Sequence, residues 1–266
     1  MPTPVTPSEG WGVLHLFFHV RRDLLADATG AAKDFAARLQ AFDARDDCQV
    51  LAFSVLGQKA DLGLMALGPD LAELDQLSTE LTASPLGAGL LPAASYVSLT
   101  ELSEYTSTAT DESRRLVAEE GLAEGSPQHA EALAAFTERM ANYAQHRLHP
   151  KLPHRKVISF YPMSKRRTSE ANWYELDFAE RKRLMGGHAR VGRGYRGRVL
   201  QLITGSVGLD DWEWGVTLLA DDPKALRDIV YDMRFDEVSA RYAEFGPFVT
   251  GLVMDPADLM HHLGLL

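Results

Sequence analysis

The segment FYPMSKRRTSEANWYEL, residues 160–176, combines side-chain types that are unusual on one face of a strand. Tyr161, Met163 and Lys165 are two residues apart, so the alternation of a β-strand directs all three side chains to the same side. A phenol, a thioether and an ammonium make a poor hydrophobic surface. The question is which ligand would need an oxidisable ring and a positive charge together. Taken alone, Tyr161 is more simply explained as an ordinary core tyrosine.

Charge is distributed unevenly along the 266 residues, whose net charge is −10. Residues 146–201 contain 14 Lys and Arg against 4 Asp and Glu, whereas the remaining chain contains 13 against 33. A basic region within an acidic protein favours a local polyanionic ligand over general adhesion to nucleic acid, which the acidic surroundings would repel. A solvated basic surface would show the same composition.

His188 has the most suggestive context of the nine histidines, within LMGGHARVGRGYRG. The preceding pattern, DFAERKRLMGGH, predicts a helix that stops at two glycines. Small residues there would let a flat, bulky group approach the backbone, and a neutral imidazole suits a haem iron. A histidine beside a glycine at a helix end is a common arrangement without any ligand. The sequence has no HExxH motif and no Cys/His cluster with zinc spacing.

Other motifs of catalysis and nucleotide or RNA binding are missing from the sequence: GxSxG, GxGxxG, GxxxxGK[ST] and an RNP motif. Cys48, the single cysteine, lies in an apolar strand context and is predicted to be a buried, inert thiol. Asp210 and Asp211 are predicted to form a turn rather than an acid–base pair. Without a signal peptide or an apolar run approaching 18 residues, we expect a cytoplasmic protein that neither spans a membrane nor binds nucleic acid.

The elements that would position these residues follow the order β-α-β-β-α-β twice. A shift of 152 residues aligns GLMALGPDLAEL with GVTLLADDPKAL, in the same strand–turn–helix pattern. This order is ferredoxin-like, and two four-stranded sheets could pack into one core. We therefore predict an α+β fold in which two ferredoxin-like halves, 1–103 and 151–266, form a dimeric α/β barrel within one chain. Residues 104–150 are predicted to be a helical connector. The polar and acidic segment Ser103–Pro127 is predicted to pack against nothing obvious.

Three segments together resemble the coproheme decarboxylases, the peroxide-dependent haem synthases of the chlorite-dismutase-like superfamily. They are FYPMSKRR with NWYEL, LMGGHARVGRGYRGRVLQLITGSVGLDDWEWGVTLLADDP, and YDMRFDEVSARYAEFGPF. The resemblance spans roughly Arg147 to Val253. It implies a ring of subunits, usually a homopentamer, that binds Fe-coproporphyrin III (coproheme) in the second half. Hydrogen peroxide would then convert two propionates to vinyl groups, giving haem b through a three-propionate intermediate.

The resemblance also implies roles for individual residues. His188 resembles the proximal iron ligand, Tyr161 the residue whose phenoxyl radical takes hydrogen from a propionate, and Lys165 the lysine that contacts a reactive propionate. The other porphyrin contacts implied are Arg147, Pro162, Met163, Ser164, Trp173, Arg193, Gln201 and Ser239, with Arg147 and Ser239 as propionate anchors. Gln201 stands where chlorite dismutases carry an arginine, which counts against chlorite decomposition.

The sequence leaves open two alternative functions and one further partner. The chain could be a chlorite dismutase-like peroxidase on the same fold, or a haem-binding protein that does not convert its ligand. An oxidisable phenol at the propionate edge favours the decarboxylase over a pure binder. A ferrochelatase could contact the protein transiently to deliver coproheme.

Overall fold

The structure, a computed structural model, describes residues 3–266, in which it contains nine β-strands and eight α-helices. The strands are β1 (Gly12–Val20), β2 (Gln49–Val55), β3 (Leu62–Gly68), β4 (Leu90–Thr100), β5 (Val157–Lys165), β6 (Val199–Gly205), β7 (Trp214–Ala220), β8 (Ala243–Phe245) and β9 (Val249–Met254). The α-helices are α1 (Ala28–Asp43), α2 (Leu71–Thr82), α3 (Ala109–Glu120), α4 (Pro127–Leu148), α5 (Phe178–Arg193), α6 (Pro223–Met233), α7 (Glu237–Tyr242) and α8 (Pro256–His262). Short 3-10 helices span Arg22–Leu24, Gly87–Gly89 and Trp173–Glu175.

All nine strands belong to one sheet, in the spatial order β7-β6-β4-β1-β3-β2-β9-β5-β8, and the paired strands are antiparallel. Strand β5 also pairs with β7, so eight of the strands form a closed circuit of pairings. The first half has the strand order β4-β1-β3-β2 and the second half the equivalent order β9-β5-β7-β6. The predicted α+β fold is confirmed. The ferredoxin-like halves, the dimeric barrel and the boundaries at 103 and 150 stay predictions, which the repeated strand order supports.

Side chains on the two faces of the sheet enter different clusters. Ile158 and Phe160 of β5 pack with Phe17, Phe53 and residues from the other strands of the circuit, in the space that the strands enclose. Tyr161, the next residue along β5, belongs to a different cluster, between the outer face of the second half and α6. Because neighbouring residues of a strand point to opposite faces, β5 separates this interior from the outer face.

The connector contains a helix that the sequence did not predict. Residues Ser103–Pro127 were expected to pack against nothing obvious, but they include α3, which begins with a capping box formed by Thr108 and Asp111 and packs against α4. The Lys182 ammonium, on α5, lies 2.8 Å from the Asp111 carboxylate. The polar composition of this segment therefore reflects an amphipathic helix tied to α5 rather than a free loop.

Helix α5 does not stop at Gly186 and Gly187, so that prediction was wrong. It runs through both glycines to Arg193, although each glycine costs about 1 kcal/mol relative to alanine within a helix. Burial of Leu184 before the glycines and of Gly192 after them holds the helix against the rest of the fold, since tertiary packing supplies most helical stability in proteins.

Three further predictions have clear outcomes. The C-terminal segment MHHLGLL was expected to dock a helix end, and α8 buries Leu259 and Met260 completely. Cys48 is only half-buried and precedes β2 by one residue, so its predicted place inside a buried strand was wrong. No helix within residues 3–266 is long and apolar enough to cross a membrane.

Candidate functional site

Tyr161 is buried on the outer face of β5, with 4% of its surface exposed. Its ring stacks on Phe248, with 4.3 Å between centroids, and lies 5.8 Å from Phe245. Burial raises the pKa of the Tyr161 phenol to about 12, against an opposing effect of the nearby Arg234 guanidinium. The phenol therefore keeps its proton at neutral pH, as a group that gives up a hydrogen atom must.

The side chains of residues 161–165 alternate between the two faces. Tyr161 and Met163 contact the same outer cluster, as the spacing predicted. Pro162 points the other way and lies against Gly246, where an added Cβ would come within 2.7 Å of its ring. The Ser164 hydroxyl accepts a hydrogen bond from the backbone N–H of Glu213. Tyr161 and Met163 thus lie on the face of β5 that forms the candidate site, whereas Pro162 and Ser164 lie on the opposite face.

Lys165 is a buried cation without a close counter-charge. It is 9% exposed, and its Nζ lies 4.5 Å from the centroid of the Trp173 ring. Burial lowers the pKa of the ammonium to about 8, opposed by the charges of Asp236 and Glu213. Within residues 3–266, no carboxylate oxygen lies within 4.0 Å of Nζ. The ammonium is therefore available to an anionic ligand.

His188 is oriented by a carboxylate. Its Nδ1 lies 3.0 Å from Oδ2 of Asp236, the residue that caps the N-terminus of α7. The same Oδ2 accepts a hydrogen bond from the Ser239 hydroxyl at 2.9 Å. Burial would raise the pKa of Asp236, but the hydrogen bonds from His188 and Ser239 outweigh it and hold this pKa below its usual value. A carboxylate at Nδ1 leaves Nε2 of His188 as the nitrogen for a ligand.

The face of α5 that carries His188 is directed toward the sheet. Gly192, one turn further along, accepts a hydrogen bond at its carbonyl from Nε2 of Gln201 on β6, at 3.1 Å. A Cβ at position 192 would come within 3.3 Å of the Gln201 amide. At 100° per residue, Gly187 lies about 100° from His188 and Gly186 about 160°. Gly186 and Gly187 therefore do not open the His188 face, and Gly192 is the glycine that permits the close approach.

Strand register arranges the outer face into rows. Tyr161 on β5 is opposite Val216 on β7, which is opposite Ile203 on β6. In the next row, Gln201 lies opposite Leu218. Two interstrand spacings, about 10 Å, separate β5 from β6. The face therefore carries the phenol on β5 and the glutamine two strands away on β6, a span that a flat macrocycle could cover.

Arg147 lies at the β6 edge of this face. Its guanidinium donates to the carbonyls of Gln201 and Ile203 at 3.5 and 3.3 Å, and its buried Nε has no partner among the described residues. These long contacts leave the arginine able to turn toward an anion. Of the other predicted contacts, Trp173 is buried below Lys165. Arg193 is exposed at the end of α5, about 140° around the helix from His188.

Three polar residues at the site were not predicted. Asp236 orients His188, as described above. The Arg234 guanidinium lies 4.0 Å over the Phe245 ring, near Tyr161. Glu101 accepts a hydrogen bond from Nε1 of Trp214 at 2.9 Å, and burial raises its pKa against the effects of that bond and of Arg147. Arg234 and Asp236 lie in YDMRFDEVSARY, a segment that carried the resemblance, whereas nothing in the sequence singles out Glu101.

The arrangement suits a haem-type ligand better than a bare metal ion. In residues 3–266, no group of three His, Cys, Asp or Glu side chains could hold a metal ion. A porphyrin iron needs only one imidazole from the protein, and Nε2 of His188 would be the candidate nitrogen. Two surface cavities, of about 320 and 170 Å³, share no residue with the predicted site. They are lined by Arg155, Gly197, Arg198, Asp221, Asp222, Lys224, Ala225 and Asp228, and by Arg38, Ala41, Phe42, Arg45, Glu73, Gln76, Leu77 and Glu80.

Comparison with known proteins identifies one matching family and several similar proteins. The family described as chlorite dismutase matches residues 26–254. A protein of Natronomonas pharaonis whose name calls it heme-binding is 37% identical over 96% of this chain. The chain spans only 41% of the length of that relative. A solved structure described as a novel heme-binding protein from Thermus thermophilus is 35% identical, with a TM-score of 0.78, over 99% of this chain and all of the other.

A more distant structure shares the fold. A mutant chlorite dismutase from Candidatus Nitrospira defluvii is 17% identical, with a TM-score of 0.71 over 96% of each chain. At this identity the likeness concerns the fold alone.

Proposed function

Because the chain belongs to the chlorite dismutase family, we propose that it is a coproheme decarboxylase, which uses hydrogen peroxide to convert two propionates of coproheme to vinyl groups. The observation that carries this proposal is the buried, protonated phenol of Tyr161, on the same strand face as the unpaired ammonium of Lys165. Relatives named as heme-binding support a haem-type ligand. Haem b would be the product, formed through a three-propionate intermediate.

The reaction balances for each propionate. One –CH₂CH₂COO⁻ group, one H₂O₂ and one proton give a vinyl group, one CO₂ and two waters. Two electrons and one proton leave the substrate side chain, and the C–C bond to the carboxylate breaks. The iron porphyrin supplies the reaction with peroxide, so coproheme is both cofactor and substrate. The protein has to orient the propionates and provide an oxidisable side chain beside them.

Tyr161 would perform the hydrogen abstraction. Oxidation of its phenol produces a neutral phenoxyl radical after loss of the proton, and this radical takes a hydrogen atom from the β-carbon of a propionate. The stacked Phe248 and the nearby Phe245 keep water away from the ring and hold it in place. Excluding water protects a reactive intermediate from side reactions.

Cationic and hydroxyl groups around the face would hold the four carboxylates. Lys165 and Arg234 flank Tyr161, and Arg147 lies at the far edge. Hydrogen bonds to charged groups contribute about 1.5–3 kcal/mol each, so several of them would secure the substrate together with the bond from His188 to iron. Ser239 would have to exchange its bond to Asp236 for one to a propionate.

The alternatives on this fold differ in what the site must contain. A chlorite dismutase-like peroxidase would need its distal arginine, and the resemblance assigns Gln201 to that position in this chain. A non-catalytic haem binder would need no oxidisable phenol at the propionate edge. Assembly as a homopentamer, a cytoplasmic location and transient contact with a ferrochelatase are further parts of this proposal. For any longer protein that contains this chain, coproheme decarboxylation is a proposal as well.

The decisive experiment is stepwise peroxide titration of the purified protein with bound coproheme, followed by mass spectrometry of the porphyrin. We expect loss of two CO₂ units in sequence, with the three-propionate species appearing and then disappearing. Porphyrin that binds but keeps all four carboxylates would leave only the haem-binding function. Oxygen release from chlorite would favour the dismutase instead.

A further inference from the structure

Two oxidisable side chains flank Lys165. Tyr161 lies four residues before it, on the same face of β5. The indole of Trp173 lies under its ammonium, with 4.5 Å between Nζ and the ring centroid. Trp173 is 3% exposed and also contacts Tyr242, with 5.5 Å between ring centroids. Four residues span about 13 Å of strand, and the buried indole beside Lys165 could quench an oxidising equivalent that is produced at Tyr161.

The charge above Trp173 opposes oxidation of the indole. A cation over the face of an indole is attracted by the electrons of the ring. When the ring loses an electron it becomes a cation itself, so this attraction changes to repulsion between two positive charges that water screens poorly in a buried site. Asp236 and Glu213 act on the Lys165 ammonium, but within residues 3–266 no carboxylate oxygen lies within 4.0 Å of Nζ, so they offset this effect only in part.

We propose that Lys165 protects Trp173 from one-electron oxidation and so confines the oxidising equivalent to Tyr161. This second role rests on the proposed function only for the source of the oxidant, which would be hydrogen peroxide acting through the bound porphyrin. The electrostatic protection itself requires no porphyrin, and any one-electron oxidant in solution can test it.

Trp214 provides an internal comparison with the opposite electrostatics. Its Nε1 donates a hydrogen bond to Oε1 of Glu101 at 2.9 Å, so its polar partner is a carboxyl group rather than an ammonium. An acceptor at the indole N–H stabilises positive charge on the ring and favours loss of an electron. In the wild-type protein, we therefore expect Trp214 to be oxidised more readily than Trp173.

The oxidation can be followed in the apoprotein with a photogenerated ruthenium(III) tris-bipyridyl complex. Conversion of an indole to an oxindole consumes one water and releases two electrons and two protons, and two ruthenium(III) ions accept the electrons. Trypsin would release residues 168–181, which contain Trp173 as their only tryptophan and no methionine. Added oxygen in this peptide, located by fragmentation, therefore reports Trp173. Residues 199–224 carry Trp212 and Trp214.

We expect Lys165→Met and Lys165→Gln to increase oxygen addition at Trp173 about tenfold or more, because a unit charge at this distance contributes more than the ~1.4 kcal/mol that such a factor requires. Lys165→Arg keeps the charge and should stay close to wild type. Lys156→Met removes an exposed lysine one residue before β5 and should also have no effect. Near-UV circular dichroism would verify that each variant keeps its tertiary structure.

Equal oxidation of Trp173 in wild type, Lys165→Met and Lys165→Gln would overturn the proposal, as would a Lys165→Arg variant as sensitive as Lys165→Met. A second arm repeats the labelling with bound coproheme and peroxide, where Lys165→Met should move oxygen addition to Trp173. If the wild type converts no coproheme in that arm, the proposed function fails, while the ruthenium result still decides the protective role of Lys165.

Discussion

Nδ1 of His188 lies 3.0 Å from Oδ2 of Asp236, and this contact joins the middle of α5 to the first residue before α7. Asp236 also accepts hydrogen bonds from the backbone N–H groups of Val238 and Ser239. The carboxylate is therefore fixed before it meets the imidazole. A fixed carboxylate sets the orientation and the tautomer of a histidine, so in the proposed function Nε2 of His188 would be the nitrogen that binds iron.

Replacing Asp236 by Asn should weaken the orientation of the His188 imidazole without unfolding α7. Asn is as good a helix N-cap as Asp, so the helix start is preserved while the charge is lost. We expect the affinity for coproheme to fall by about 10–100-fold, the usual effect of losing an outer-shell partner of a metal ligand. Titration followed by absorption spectroscopy would measure it. Asp255→Asn, at the N-cap of α8, is the matched control, and an unchanged affinity and Soret band in Asp236→Asn would contradict this role.

Tyr161→Phe should separate binding from chemistry. The phenylalanine ring preserves the stack on Phe248 but cannot form a phenoxyl radical. We expect near-native affinity for coproheme and no haem b under peroxide, measured by mass spectrometry of the porphyrin. Tyr96→Phe, a buried tyrosine in the enclosed interior, should retain conversion. A full yield of haem b from Tyr161→Phe would remove this residue from the mechanism.

Lys165 should make the stability of the protein depend on pH. Burial lowers its pKa from 10.5 to about 8, so between these two values the unfolded chain binds more protons than the folded protein. In this window the group makes the free energy of unfolding rise with pH, whereas below about pH 8 both states hold the proton and its penalty is constant. Relative to Lys165→Met, wild type should gain up to about 3 kcal/mol across the window.

Urea unfolding of both proteins at pH values from 7 to 10.5 would measure this difference. Lys156→Met serves as the control for loss of an exposed lysine. If the unfolding free energies of wild type and Lys165→Met change in parallel with pH, the ammonium is not desolvated as the structure indicates.

Gly186→Ala should stabilise the protein without affecting the ligand. A Cβ at this position meets nothing within 4 Å, and alanine is favoured over glycine by about 1 kcal/mol within a helix. Position 186 faces away from His188, so coproheme affinity should stay the same. Gly192→Ala should instead displace the Gln201 amide, because its Cβ would lie only 3.3 Å away. Denaturant unfolding and porphyrin titration would distinguish the two, and weaker coproheme binding by Gly186→Ala would contradict the assigned orientation of α5.

Local spacing accounts for the predictions that succeeded. Tyr161 and Met163 share a face because strand geometry fixes the direction of every second side chain, whatever the rest of the fold does. The repeated strand and helix order was visible for the same reason. The end of α5 was placed wrongly at Gly186 and Gly187, since glycine predicts a stop only when packing does not carry the helix onward. Here the burial of Gly192 against Gln201 stabilises α5 beyond the two glycines.

Sequence alone determined which residues could do chemistry and which strand face presents the phenol of Tyr161, because both depend on residue type and local periodicity. Tertiary structure decided that Asp236 reaches His188 across 48 residues, that Lys165 lies over Trp173, and that Gly192 lets Gln201 meet α5. These contacts join residues whose separation in the chain carries no information about their distance in space. They form only when helices and strands pack together, and that packing requires the whole core to be assembled at once.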